Sequence, residues 1–251
     1  MNTTIIILIF LLGLIFGSFY NVVGLRVPIN QPFANERSIC PYCQHQLAWY
    51  DNIPLLSFAI LGGKCRHCKE KISYIYPLME LVTGILFTWS YVVIGLNLEL
   101  VTALLLVSML VIIIISDIKY MLIPNNVLLF FLPLFIIMRI FQPLDPWWSA
   151  LLGAIIGFSI IAVIIIVSRG GMGAGDMKLF GVLGIVLGME KVLLAFFLAC
   201  MIGAIIGMAL LLTRVIGRKQ PVPFGPYIVV AALITYFYGE SLINSYFNLL
   251  L

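Results

Sequence analysis

The chain has 251 residues, of which 63% are hydrophobic and 10% charged, and its mean hydropathy is +1.17. Soluble domains use apolar residues for roughly half of their length, so this composition excludes a soluble enzyme and describes a protein that crosses a membrane repeatedly. The net charge of +4 is carried mostly by loop residues and reads as a topology signal, with no sign of a nucleic-acid surface.

A span of the bilayer takes about 20 mostly apolar residues. Apolar runs at 4–25, 77–96, 98–116, 126–141, 149–168, 178–189, 191–213 and 225–247 predict an all-α integral membrane protein with about eight transmembrane helices, the fourth and sixth being short. No Lys or Arg precedes the first run and no small-x-small site follows it, so it is expected to stay as a helix and not to be removed as a signal. Three parts are expected: a first transmembrane helix at 1–25, a cytoplasmic loop at 26–76, and a multi-helix core at 77–251. Arg26, Arg37, Lys64, Arg66, Lys69, Lys71, Lys119, Arg169, Lys178, Arg214, Arg218 and Lys219 fall in odd-numbered loops, whereas Arg139 and Lys191 lie on the even side. Cytoplasmic loops retain Lys and Arg, so the odd loops face the cytoplasm and both termini face outward.

The loop at 26–76 holds Cys40-Pro-Tyr-Cys43 and Cys65-Arg-His-Cys68. Two such pairs supply a tetrahedral thiolate site, and the spacing is close to that of a zinc ribbon. The competing reading, two disulfides, suits a reducing cytoplasm poorly. A loop this small has little core of its own, and a metal commonly supplies the missing stability. Lys64, Arg66, Lys69 and Lys71 would offset the charge of four thiolates around Zn2+. His45 and His67 are alternative ligands, read here as bystanders, and Cys200 reads as a buried apolar residue. Four protein ligands leave no open position, so this metal is structural and catalysis is sought elsewhere.

Asp117 and Asp176 each end an apolar run, and acids at membrane depth usually mark function. Two carboxyls entering from different helices can share a proton and activate a water. Their bland readings are that Asp117 is hydrated or paired with Lys119, and that Asp176 caps the helix that starts near Met177. Gly170, Gly171, Gly173 and Gly175 form a turn through which backbone or substrate can approach Asp176. Gly13 with Gly17, Gly153 with Gly157 and Gly203 with Gly207 read as close helix packing. Glu80 is a third acid, either ion-paired with the loop or involved in binding substrate.

Six ordered blocks resemble one family, the prepilin peptidases of type IV pilus, type II secretion and competence systems. They are Gly17-Ser-Phe-Tyr-Asn-Val-Val through Arg26-Val-Pro28; the paired cysteines; Asp51-Asn-Ile-Pro-Leu-Leu-Ser57; Ile72-Ser-Tyr-Ile-Tyr-Pro-Leu-Met-Glu80; Asp117 with Ile123-Pro-Asn125 and Gly173-Ala-Gly-Asp-Met-Lys178; and Val222-Pro-Phe-Gly-Pro-Tyr227. The resemblance implies an aspartic endopeptidase of the bacterial inner membrane, with catalytic acids Asp117 and Asp176 supported by Gly173, Gly175, Lys178, Pro124 and Asn125. Its substrates would be prepilins or pseudopilins, cut at the cytoplasmic face between a basic leader and a hydrophobic helix. Family members with the cysteine loop usually also methylate the new N-terminus from S-adenosylmethionine, and the resemblance points to Gly63, Lys64 and Glu80 for that step. Methyl transfer has no support outside the resemblance, because no Gly-x-Gly-x-x-Gly follows a strand here. Tyr74 departs from the pattern, since many relatives carry Arg near this Tyr-Pro.

Three other readings compete. A presenilin or signal-peptide-peptidase type of protease also uses Gly-x-Gly-Asp, but the cysteine loop and Ile123-Pro124-Asn125 argue against it. An ion-coupled transporter would need a polar path and usually internal repeats, and no convincing repeat relates the halves. A non-catalytic assembly factor would tolerate loss of both aspartates.

Overall fold

The computed structural model describes residues 2–32, 38–215, 217 and 222–250. Arg37, Arg218 and Lys219, used above to orient the loops, lie outside them. The described residues form α1 (Thr3–Arg26), α2 (Leu56–Ile60), α3 (Ile75–Ile94), α4 (Leu98–Tyr120), α5 (Asn125–Phe141), α6 (Ser149–Val167), α7 (Ala174–Leu187), α8 (Met189–Leu212) and α9 (Gly225–Leu250). Extended pairing among them is confined to two isolated bridges, Ile39 with Gln46 and Lys64 with Lys71.

Six of these helices, α1, α3, α4, α6, α8 and α9, are long and apolar enough to cross a membrane. The other two runs expected to span are helices of lesser length: α5 has 17 residues with Pro133 inside it, and α7 has 14. At about 1.5 Å per residue α7 reaches roughly 21 Å, short of a hydrocarbon core of about 30 Å. Gly188 stops it, adopting φ +81 and donating its N–H to the Gly184 carbonyl before α8 begins.

The chain divides into two compact units, Met1–Ile115 and Ser116–Leu251. In the first, α1 packs on α3 along a seam of small residues. A Cβ on Gly13 would lie 2.7 Å from Gly84 Cα, and one on Gly17 would lie 2.8 Å from Glu80 Cα, so these glycines let the two backbones touch. Near this seam Tyr20 donates to the Ser108 hydroxyl of α4, and Asn21 Nδ2 donates to the Tyr76 carbonyl at 3.1 Å. Ala103, Leu106, Val107, Met109, Leu110 and Ile113 of α4 are fully buried. Residues spread round the whole circumference are covered, which is why this run is apolar on every side.

In the second unit α6 packs on α7 with the same device, since a Cβ on Gly153 or Gly184 would overlap the other's carbonyl oxygen. The expectation for Gly203 and Gly207 holds only in part. Gly203 lies against the rings of Phe224 and Tyr227, but a side chain at Gly207 would meet nothing within 4 Å. Spacing alone marks a small-residue face without saying that a partner helix covers it.

Candidate active site and metal centre

Asp117 sits in the last turn of α4. Met121 at φ 52 ends that helix with its N–H on the Asp117 carbonyl, and the chain then runs through Ile123 and Pro124 into α5. The Asp117 side chain is 6% exposed, and its Oδ2 accepts the N–H of Gly225 at 2.8 Å. Gly225 opens α9, where the first N–H groups have no partner inside the helix. The carboxyl therefore occupies the positive end of α9. Lys119 is exposed and makes no ion pair with Asp117 among the described residues, which removes the simplest bland reading of that acid.

Asp176 sits in the first turn of α7 and is 9% exposed. Its Oδ2 accepts the Gly173 N–H at 3.1 Å, while its own N–H goes back to the Gly173 carbonyl. This is a helix N-terminal turn, and the helix starts three residues earlier than the sequence reading placed it. Capping does not exhaust the side chain, because the Asp117 charge acts on Asp176 electrostatically. Each acid thus rests on a helix N-terminus and holds a glycine N–H through Oδ2, and the Asp117 charge reaches Asp176. No hydrogen bond to either Oδ1 is made among the described residues.

The supporting residues lie on the two segments that carry the acids' surroundings, the start of α7 and the Ile123–Asn125 stretch. A Cβ on Gly175 would lie 3.0 Å from Ile123 Cβ, so glycine there lets the first turn of α7 close onto the Ile123–Asn125 segment. Pro124 caps α5, and Asn125 accepts a 2.9 Å hydrogen bond from Lys178. Gly225 is the residue that sequence reasoning passed over. Its block, Val222 to Tyr227, was noticed for resemblance, yet the signal for a role lay in a glycine placed before Pro226 at a helix start. A Cβ at 225 would stand 2.6 Å from Asp117 Oδ2, so the position admits only glycine.

A cavity of about 640 Å3 lies between α5, α6 and α7. It is lined on α7 by Lys178, Gly181, Val182 and Ile185, whereas Asp176 shares its helix face with Leu179, Phe180 and Leu183. The cavity therefore belongs to the other side of α7 from the acids.

In the first unit the loop builds two matching knuckles. The Cys40 N–H reaches the His45 carbonyl and the Cys65 N–H the Glu70 carbonyl, with Gln44 at φ 56 and Lys69 at φ 62 turning each back. The Sγ atoms of Cys40, Cys43, Cys65 and Cys68 all lie within 4.8 Å of one another, with Cys40 to Cys68 at 3.8 Å and Cys43 to Cys65 at 4.0 Å. A tetrahedral zinc with Zn–S bonds of about 2.3 Å sets its sulfurs about 3.8 Å apart, so four thiolates here fit that ion. The thiols do not ionise alike. The backbone N–H groups of Cys68 and then His67 lower Cys65 to about 7. The Glu70 N–H pulls Cys68 down, but burial and its bonds to Cys65, Cys43 and Cys40 push it up to about 12. Neighbouring thiolates repel, and a divalent cation removes that repulsion. The His45 and His67 rings lie against each other at a tilt of 38°, centroids 3.5 Å apart, outside the four-sulfur cluster. Arg66 binds Asp51 through Nε and Nη2 at 3.0 and 2.9 Å and covers the Tyr50 ring.

The three residues suggested for methyl transfer are joined by α2. Glu80, buried in α3, accepts the Leu55 N–H at 2.9 Å, while the Gly63 N–H reaches the Phe58 carbonyl. Lys64 follows Gly63 and is exposed. Gly63 has φ +70 and a Cβ there would stand 2.9 Å from the Phe58 ring, so backbone shape and packing already account for that glycine.

Residues 104–208 match the type IV leader peptidase family, and residues 11–94 match the bacterial peptidase A24 N-terminal domain. Among curated proteins, a prepilin leader peptidase/N-methyltransferase of Bacillus subtilis is 43% identical over 97% of this chain and 98% of its own length. Proteins with the same description from Myxococcus xanthus and Aeromonas salmonicida are 40% and 33% identical, over 86% and 97% of this chain and 65% and 94% of theirs. No solved structure matches the chain.

Proposed function

This chain belongs to the type IV leader peptidase family, and we propose that it is a membrane aspartic endopeptidase that removes the leader of prepilins or pseudopilins and methylates the new N-terminus. What supports the peptidase half is that Asp117 and Asp176 are each held by a glycine N–H at a helix start, with the Asp117 charge acting on Asp176. Neighbouring carboxyls resist joint ionisation, so in this reading the two share one proton. The ionised partner takes a proton from a water, whose oxygen attacks the scissile carbonyl carbon. The protonated partner hydrogen-bonds the carbonyl oxygen as its charge grows. On collapse the peptide C–N bond breaks and the leaving nitrogen takes a proton from the dyad. The proton belongs to the pair, and no single acid is assigned it.

Gly173, Gly175, Pro124, Asn125 and Lys178 act here as positioning residues that fix the approach of α7 to the segment after Asp117. The expected cut lies at the cytoplasmic face of a bacterial inner membrane, the side on which the basic loops fall. In the three-part division, the loop at 26–76 is the metal-bearing insertion, with Cys40, Cys43, Cys65 and Cys68 holding Zn2+ as a structural ion. S-adenosylmethionine would supply an activated methyl group on a sulfonium. Beside the loop, the Glu80 carboxyl of α3 would offer a counter-charge for that cation, at the other end of α2 from Gly63 and Lys64.

Purified protein incubated with a prepilin-like peptide, with and without S-adenosylmethionine, tests both halves by mass spectrometry. Leader loss in both samples and a further gain of one methyl group only with the donor are expected. An uncut peptide removes the first half, and a cut but unmethylated one removes the second.

A further inference from the structure

The loop carries an apolar surface that neither the metal nor the catalytic reading uses. In α2, Leu56 and Ile60 are 53% and 72% exposed, and Ala59 beside them is exposed as well. Residues three and four apart share a helix face, so one whole side of α2 is apolar and uncovered. The turn Trp49–Asn52 packs against α2, and Trp49 itself is 79% exposed. Tyr74, similarly exposed, meets Phe58 of α2 edge-on with ring centroids 5.5 Å apart. Tyr74 also precedes α3, where Leu78, Leu81 and Ile85 are exposed apolar residues of a candidate span. The hydrogen bond from Leu55 to Glu80 holds α2 at the level of the first turns of α3. Close by in sequence, Lys64, Lys69 and Lys71 are exposed, with Glu70 the one acid among them.

We propose that this face of the loop docks on the bilayer. Leu56, Ile60, Trp49 and Tyr74 are seated in the headgroup layer of the leaflet from which α1 and α3 emerge, and Lys64, Lys69 and Lys71 meet its anionic phosphates. Trp and Tyr favour that depth, an amphipathic turn lies in the plane of the interface, and lysines next to a span are drawn to anionic lipid. Continuity with the exposed side of α3 selects lipid as the occupant, and a basic polypeptide would meet like charge there. The docking is independent of the catalytic reading.

The test uses the full chain with Trp89, Trp147 and Trp148 replaced by Phe, reconstituted in vesicles of phosphatidylglycerol and brominated phosphatidylcholine. Trp49 is expected to emit at shorter wavelength than a water-exposed indole and to be quenched more by bromines near the headgroup than by bromines deep in the tails. Leu56→Asp combined with Ile60→Asp is expected to abolish the quenching while peptide cleavage in detergent persists. Should that variant fail to fold, the depth profile of Trp49 in the parent decides alone. Water-like emission without quenching overturns the proposal, as does quenching that appears only when a prepilin-like peptide is added, or quenching unchanged in the folded double variant.

Discussion

Asp117 and Asp176 share a local design, a carboxyl on a helix N-terminus whose first glycine supplies the N–H. Positive helix ends favour the ionised form, while an adjacent carboxyl opposes a second charge, so the arrangement suits a pair with one proton. Asp117→Asn and Asp176→Asn are each expected to reduce leader cleavage by roughly 10²-fold or more, the usual range for losing a general acid or base, with protein level in the membrane unchanged. Retention of cleavage in either variant, measured on a co-expressed prepilin, counts against the dyad. Gly225→Ala tests the residue that sequence reasoning passed over. The added Cβ would displace the Asp117 carboxyl, and a shift of about 1 Å can lower the rate by roughly 10²-fold. A fall in kcat with little change in KM is expected, because the substitution moves a reacting group and leaves the substrate surface alone.

Helix seams follow from the same small residues that shape the site. The α6 and α7 backbones touch at Gly153 and Gly184, leaving no room for a methyl group on either. Gly184→Leu is expected to destabilise the protein by at least the 1–3 kcal/mol typical of overpacking, read as a lower melting temperature in detergent. The same substitution at Gly207, where nothing lies within 4 Å, is expected to leave the melting temperature nearly unchanged. The knuckles obey a different logic, since four clustered sulfurs replace a hydrophobic core. A strong chelator, or Cys40→Ser, is expected to release metal and to expose the loop to hydrogen exchange between residues 38 and 74, while α1 and α3 stay protected.

Across the whole chain the two candidate centres fall in different units, the acids in Ser116–Leu251 and the cysteines with Glu80 in Met1–Ile115. Two activities housed in this way should be separable. Asp117→Asn is expected to stop leader removal yet still methylate a peptide that already begins at the mature N-terminus, measured by methyl incorporation. The apolar helices, the pairing of the four cysteines into one cluster and the placement of two acids at the ends of apolar runs were legible in the amino-acid sequence. Each is written in composition or spacing: about 20 apolar residues must span hydrocarbon, and a short Cys-x-x-Cys pair bends into a knuckle whatever surrounds it. The start of α7 at Ala174, the covered or open state of Gly203 and Gly207, and the contact of Gly225 with Asp117 were not legible. Those depend on which distant segments arrive beside one another, and 108 positions separate Gly225 from Asp117 along the chain. Residue type could say that a costly charge was present at membrane depth. Only packing could bring the start of α9 to one acid and set the other within reach of its field, because a carboxyl's partners are chosen by distance in space and not by order in sequence.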